Sequence, residues 1–401
     1  EINRRFLATV SLAFPNDLDL IRRVSIIDED QGKRVRMSHL AIVGSHKVNG
    51  VAELHSQLMQ STIFRDFATL YPERFMNITN GVTPRRWLHQ ANPGLSQLIT
   101  DAIGPHWIKD LSEIHQLEPF AEDAAFRDAF RKARRMNKDR WILTSPKGLP
   151  TGINPQSLFD AQIKRIHEYK RQLLNILYVV VRYHQHLKGN PNLPPRTVII
   201  GGKAAPAYQR AKLIIKLIND VAKVINQDPR LDGQLKVFFL PDYCVTKAMH
   251  LIPAIDLSEQ ISTAGTEASG TGNMKMAING ALTIGTYDGA NIEILNAVGE
   301  DNFFLFGQTE QELMRLRQLG YDPLTYLERC EELKEALDSI RSGAFSPDDP
   351  SRYIPLIDSL LHEGDQFMLL ADFESYLEAQ GKVDRLWGDP ELWTRKAILN
   401  I

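Results

Sequence analysis

The sequence predicts an α/β protein built on a doubly wound parallel sheet. Two features support this expectation. Short, strongly apolar runs of strand length alternate with longer stretches of helical period, and the runs end at glycine or proline. Such a sheet places its ligands at the carboxyl ends of its strands.

Taken in order, the first 75 or so residues read as helix and strand pieces: "HLAIVGS" as a strand and "NGVAELHSQLMQSTIF" as an amphipathic helix. The passage "FMNITNGVTPRRW" joins Asn-Gly to Thr-Pro and reads as a turn-rich domain crossover. Beyond it, "SLFDAQIKRIHEYKRQLLNILYVVVRYHQHL" contains a long helix with Leu173, Leu174, Leu177 and Val181 on one stripe. "RTVIIGGKAAP" is a buried strand broken by two glycines, and "LKVFFLPDY" is another, ended by Pro241. Between them "AYQRAKLIIKLINDVAKVIN" is helical, with Ala211, Ile214, Ile218, Val221 and Ile225 turned inward. "NFFLFG" is a further strand. There is no internal repeat and no low-complexity segment.

With 401 residues the chain can form two domains, or one domain and part of another. A formal charge of −2 provides no bulk field to attract nucleic acid or an anionic membrane. No apolar run approaches the roughly 20 residues of a membrane span, and "EINRRFLATV" is not a signal peptide. Cys244 and Cys330 have neither metal-like spacing nor a disulfide framework, which points to a reducing, cytoplasmic setting. The chain starts at Glu1 and stops at "LWTRKAILNI" without a helix stop signal, so a fragment of a longer polypeptide is expected.

The most informative stretch is "EASGTGNMKMAINGALTIGTYDGANIEI", Glu267 to Ile294. It begins a dinucleotide fingerprint at Gly270-Thr271-Gly272, but Lys275 stands where the third glycine belongs. It also spaces Gly265 and Gly270 as a P-loop would, but Thr271 follows where that motif needs lysine. A third reading is a phosphate cradle at a helix start, with backbone N–H groups of Gly270, Thr271 and Gly272 aimed at an anion. Lys275 could then hold an anion or tether an aldehyde cofactor that carries its own phosphate. The plain alternative is a glycine-rich turn with a solvated lysine.

"EASGTGNMK" followed by "NGALTIGTYDGANIE" resembles the pyridoxal-phosphate signature of the α-glucan phosphorylases. "GSHKVNGVAELHS", "NITNGVTPRRWL", "FDAQIKRIHEYKRQ", "GGKAAPAY", "VFFLPDYCV" and "ADFESY" resemble further blocks of that family, in order, along essentially the whole chain. The resemblance implies about the C-terminal half of a typical member and a glycosyltransferase B type fold of two Rossmann-like domains. Residues 1–79 would then be the remainder of the N-terminal, sugar-side domain. Residues 80–401 would be the C-terminal domain that binds pyridoxal 5′-phosphate, cut short at its end.

Site roles follow from the same resemblance. Lys275 tethers the cofactor, and Thr271 and Gly272 lie at its phosphate, with Arg86, Trp87 and Tyr243 as pocket wall. Lys164 lies near the cofactor phosphate, and Arg165 and Lys170 surround the substrate phosphate. In a regular helix Arg165 and Lys170 would stand about 140° apart. They can share an anion only if the chain is still a turn or strand end near Lys164 and becomes helical later. Glu267, Ser269 and Gly270 resemble contacts to the glucose 3- and 4-hydroxyls, Asn80 a contact to the 6-hydroxyl, and His46 a sugar-subsite residue. The implied reaction is phosphorolysis of terminal α-1,4 bonds of glycogen or maltodextrin. It yields α-glucose 1-phosphate with retention, the proton passing from the cofactor phosphate through orthophosphate. A homodimer, an inactive isolated fragment, and no metal are implied as well. The rivals are a nucleotide-sugar glycosyltransferase of the same fold and a glucan-binding protein without turnover.

Overall fold

The computed structural model describes residues 1–30, 32–144 and 152–401. These form two compact units, Glu1–Asn80 and Gly81–Ile401, divided within the turn-rich "FMNITNGVTPRRW".

The first unit has two small ribbons. β1 (Ile27–Asp28) and β2 (Arg34–Val35) pair antiparallel, and β3 (Val48–Gly50) and β4 (Phe75–Asn77) pair parallel. Phe6, Val10, Leu20, Val24, Ile26, Ile42 and Phe67 form its core. "HLAIVGS" is not a strand: it lies in the helix Met37–Gly44, which buries Ile42 and packs Leu40 and Val43 on that core. A short apolar run fits both periods, and here packing decided for the helix.

The second unit is built on six parallel strands: β5 (Leu158–Ile163), β6 (Arg196–Gly201), β7 (Leu235–Leu240), β8 (Leu257–Gln260), β9 (Leu282–Gly285) and β10 (Phe303–Leu305). Their order, β10-β9-β8-β5-β6-β7, is the 3-2-1-4-5-6 order of a dinucleotide-binding doubly wound sheet. The order reverses between β5 and β8. There the ladder is short: β5 pairs with β6 along its whole length, but with β8 only at Asp160↔Leu257 and Ala161↔Ser258. Past that point the two strands separate toward their carboxyl ends.

Three predicted strands, in "RTVIIGG", "LKVFFLP" and "NFFLFG", are found as β6, β7 and β10, and the helix Gln209–Gln227 buries the five predicted residues. The helix Gln172–Leu187 differs from expectation. It is buried all round from Gln172 to Tyr183, not along one stripe, because other helices cover the face turned from the sheet. β5, β8 and β9 escape the sequence pattern. Asp160, Gln162, Ser258, Glu259 and Gln260 are polar yet buried, so β5 and β8 do not read as apolar runs.

Most of these polar groups bond one another or a buried neighbour. Arg196 donates to Asp160 (3.0 Å), Gln380 Oε1 (2.6 Å) and Asp384 (2.9 Å), and Arg182 also donates to Asp384 (2.6 Å). Glu259 accepts from Gln380 (2.7 Å) and Tyr376 (3.0 Å). Burial, with the nearby Asp160, pushes the Glu259 carboxyl well above its ordinary value. Burial raises Asp160 as well. Replacing one partner should be costly, because the others stay buried without it. Asp384→Ala is expected to lower stability by about 3–5 kcal/mol, measured as a shift in the chemical-denaturation midpoint.

Candidate active site

The site forms where β5 and β8 part. β5 ends at Ile163, and residues 164–171 carry the chain to the helix Gln172–Leu187. They begin as a strand extension, with the Lys164 N–H on the Gly201 carbonyl (2.9 Å), and end in a single 3-10 turn, Glu168–Lys170. Lys164 therefore leaves a strand end and Lys170 a 3-10 turn ahead of the long helix, the local path expected for Arg165 and Lys170, but it is Lys164, not Arg165, that meets Lys170. Both ammonium groups bond Glu267 Oε2, Lys164 at 3.3 Å and Lys170 more closely. Lys170 also lies 4.5 Å from the centroid of the Tyr169 ring.

Glu267 follows β8 on the loop 261–271. Its backbone N–H and that of Thr266 donate to Asp288 Oδ2, at 2.8 and 3.2 Å. Gly289, beside that aspartate, has φ +49°, and a Cβ there would lie 2.6 Å from the Glu267 carbonyl oxygen. Only glycine lets the two backbones approach so closely. Burial tends to raise the Glu267 carboxyl, but Lys164 and Lys170 outweigh it and hold the group below its ordinary value. Lys164 moves the other way: burial lowers its ammonium despite the attraction of Glu267. The cluster thus pairs two cations with one ionised carboxylate, an arrangement suited to receiving a further anion.

The glycine-rich segment continues from this carboxylate. Ser269 is buried, its carbonyl accepting from Ala290 (2.9 Å), and Gly270 has φ +79°. Thr271 precedes the helix Gly272–Ala277 without a side-chain cap bond. With six residues that helix is a weaker dipole than the phosphate-cradle reading supposes, and Lys275 lies in its last turn. The Lys275 ammonium sits 4.0 Å from the centroid of Trp87. Burial lowers it, and among the described residues no carboxylate pairs with it. Asn279, fully buried, fixes this contact by donating to the carbonyls of both Trp87 (2.7 Å) and Lys275 (2.8 Å).

The structure therefore brings Lys164, Lys170 and Glu267 into one cluster and sets Trp87 against Lys275. Within the second unit it does not join Arg165, Arg86 or Tyr243 to that cluster. Arg165 is exposed and its guanidinium bonds none of the described residues. Arg86 is exposed, and Tyr243 is half-buried with its hydroxyl pushed by burial to about 12. Neither bonds the cluster. His46 and Asn80 are exposed on the first unit. Sequence reading missed Asp288 and Asn279, although each precedes a glycine in a turn dipeptide that could have drawn attention to it. It also missed Gln162, whose amide holds the Lys170 carbonyl at 2.8 Å and whose strand was not recognised.

The family signature of the carbohydrate phosphorylases matches residues 1–401. The chain belongs to that family. Its members have the glycosyltransferase B type fold, and the parallel sheet described above is of that kind. The glycogen phosphorylase of Synechocystis sp. is 55% identical over 406 residues, spanning the whole of this chain and 47% of the relative. That of Chlamydia trachomatis is 50% identical over 401 residues, covering 49% of the relative. The muscle form from Oryctolagus cuniculus is 49% identical over 403 residues, covering 48%. The chain spans about half the length of the relatives it matches. Among the described residues no helix is long and apolar enough to cross a membrane, and no cluster of His, Cys, Asp or Glu is arranged to hold a metal ion.

Two outcomes are expected from this geometry. Because the Lys275 amine is lowered, its reaction with an amine reagent should rise and level off at lower pH than an ordinary lysine of 10.5, followed by peptide mass spectrometry across a pH series. Glu267→Gln removes the shared carboxylate and should cost about 1–2 kcal/mol, less than a fully buried pair because the site is partly open. Orthophosphate should then raise the variant's melting temperature more than that of the unaltered protein. Equal shifts would show that the two lysines do not form an anion site.

Proposed function

We propose that this chain is the phosphate-handling half of a glycogen phosphorylase. Such an enzyme cleaves terminal α-1,4-glucosidic bonds of glycogen or maltodextrin with orthophosphate and releases α-glucose 1-phosphate with retained configuration. The observation that carries the reading is the convergence of Lys164 and Lys170 on Glu267 at the sheet's reversal point, in the segment that also bears Lys275.

The residues present fit pyridoxal 5′-phosphate. Lys275 has an amine that burial favours in its neutral, nucleophilic form, and an indole closes one side of it. When bound, that cofactor supplies a phosphate monoester with a second pKa of about 6, able to give and take a proton near neutrality. The chain's own residues do the rest. Lys164 and Lys170 offset the repulsion between two neighbouring phosphates, with Arg165 free to add a bidentate contact. Glu267, kept ionised by the lysines, accepts from a sugar hydroxyl, with Ser269 and Gly270 beside it. The same carboxylate links the sugar and phosphate subsites, so filling one alters the field at the other. Thr271 and Gly272 complete the phosphate end, and Arg86 and Tyr243 the pocket wall. His46 and Asn80 belong to the sugar side through the resemblance alone. A cytoplasmic homodimer completes the reading.

The test uses the complete reading frame that contains this chain. Release of glucose 1-phosphate from glycogen should require orthophosphate. Borohydride reduction followed by peptide mapping should find a pyridoxyl group on Lys275, and Lys275→Ala should lower kcat by at least about a thousandfold, the scale on which removing an essential group acts. An unmodified Lys275 in the active protein would sink the proposal in favour of a cofactor-free glycosyltransferase.

A further inference from the structure

Between Lys170 and the helix Gln172–Leu187 stands Arg171, to which the reading above gives no part. Its backbone is left-handed, φ +58° and ψ +40°, a conformation that residues with a Cβ seldom adopt. Its side chain is fully buried, an unusual place for arginine unless every donor is used. Here Nε donates to the Ile261 carbonyl (2.7 Å) and one terminal nitrogen to the Ser262 carbonyl (3.3 Å). The other reaches Asp372 at 2.7 Å, in a pair fully buried on both sides, and lies 3.5 Å from the Met368 carbonyl.

These acceptors lie on a different part of the chain from Lys170. Ile261 and Ser262 are the first residues past β8, on the loop that carries Glu267. Arg171 thus joins the loop leaving β5 to the loop leaving β8, across the gap where the two strands stop pairing. A backbone bond from the Thr263 N–H to the Tyr169 carbonyl (3.0 Å) runs parallel to it. Asp372 is itself held, accepting from the Gln308 N–H at 3.0 Å. Next to it Gly307 has φ +80°, and a Cβ there would lie 2.8 Å from the carboxylate.

We infer that the Arg171–Asp372 pair is the positioning clamp of this site: it fixes the separation of the two loops and so the distance at which Lys170 meets Glu267. Neither residue touches the ligand-facing groups. The left-handed turn is what aims the Arg171 side chain inward while its neighbour Lys170 faces the cluster. The inference rests on the proposed function only for what the lysines hold, not for the clamp itself.

The experiment uses the complete protein and two variants. Arg171→Lys keeps the charge but cannot span both carbonyls and Asp372. Asp372→Asn is the milder change and keeps a neutral acceptor. Three quantities are measured: melting temperature, KM for orthophosphate against kcat, and the acetylation rate of Lys170 by acetic anhydride. Asp384→Ala, in the buried cluster near the other end of the strands, serves as a destabilised comparator. In at least one clamp variant Lys170 should label fivefold faster or more. KM should rise tenfold or more with the pyridoxyl content of Lys275 unchanged, while the comparator loses melting temperature without either effect. If both clamp variants melt earlier but label at the unaltered rate, the inference is overturned and a merely structural ion pair remains. If the unaltered protein releases no glucose 1-phosphate, the activity reading fails, and the labelling rates alone decide the clamp.

Discussion

The separation of β5 from β8 is the constraint on which the site depends. Parallel strands with helices on both faces are held together by their ladders, yet these two share only two residue pairs before they diverge. The divergence follows from topology: connections from β5 run to one side of the sheet and those from β8 to the other, so no single crossover covers the gap. The loops leaving the two strands face each other across it. Lys164 and Lys170 come from one and Glu267 from the other, and their contact is possible because the strands make room for it.

Opening a gap in a buried sheet exposes polar backbone, and side chains meet that demand. Gln162 holds the Lys170 carbonyl, and Gln172 takes the Arg165 carbonyl (3.0 Å) and the His167 N–H (3.3 Å). Asn291 accepts from Asn273 (2.9 Å) and donates to the Gln260 and Thr286 carbonyls (3.1 and 3.2 Å). Such bonds cost little when complete and much when broken, which makes the region rigid. The same logic governs the buried cluster around Arg196, where polar strand residues are tolerated because each finds a partner.

Three lysines of one type acquire two kinds of chemistry from their surroundings. Lys164 and Lys170 share one carboxylate, which suits their cluster to a further anion. Lys275 has an aromatic ring beside it and, among the described residues, no paired carboxylate, and burial makes its amine easier to deprotonate. Environment, more than residue type, sets these ammonium groups apart.

Local pattern determined several elements of this protein. Apolar runs marked β6, β7 and β10, helical period marked Gln209–Gln227, and the long motif around Lys275 marked the family. Short-range signals succeed where the residue and its cause lie close together in the chain. The tertiary structure decided what they could not. "HLAIVGS" became a helix because a core accepted its apolar side. β5 and β8 became strands despite Asp160 and Glu259, because Arg196 bonds Asp160, and partners more than 100 positions away in sequence, Gln380 and Asp384, bond Glu259 and Arg196. Lys164 and Lys170 meet on Glu267 because the helix begins only after Lys170, where Arg171 bonds carbonyls beyond β8 and Asp372. Burial and long-range hydrogen bonds are properties of the folded chain, and a linear pattern does not contain them.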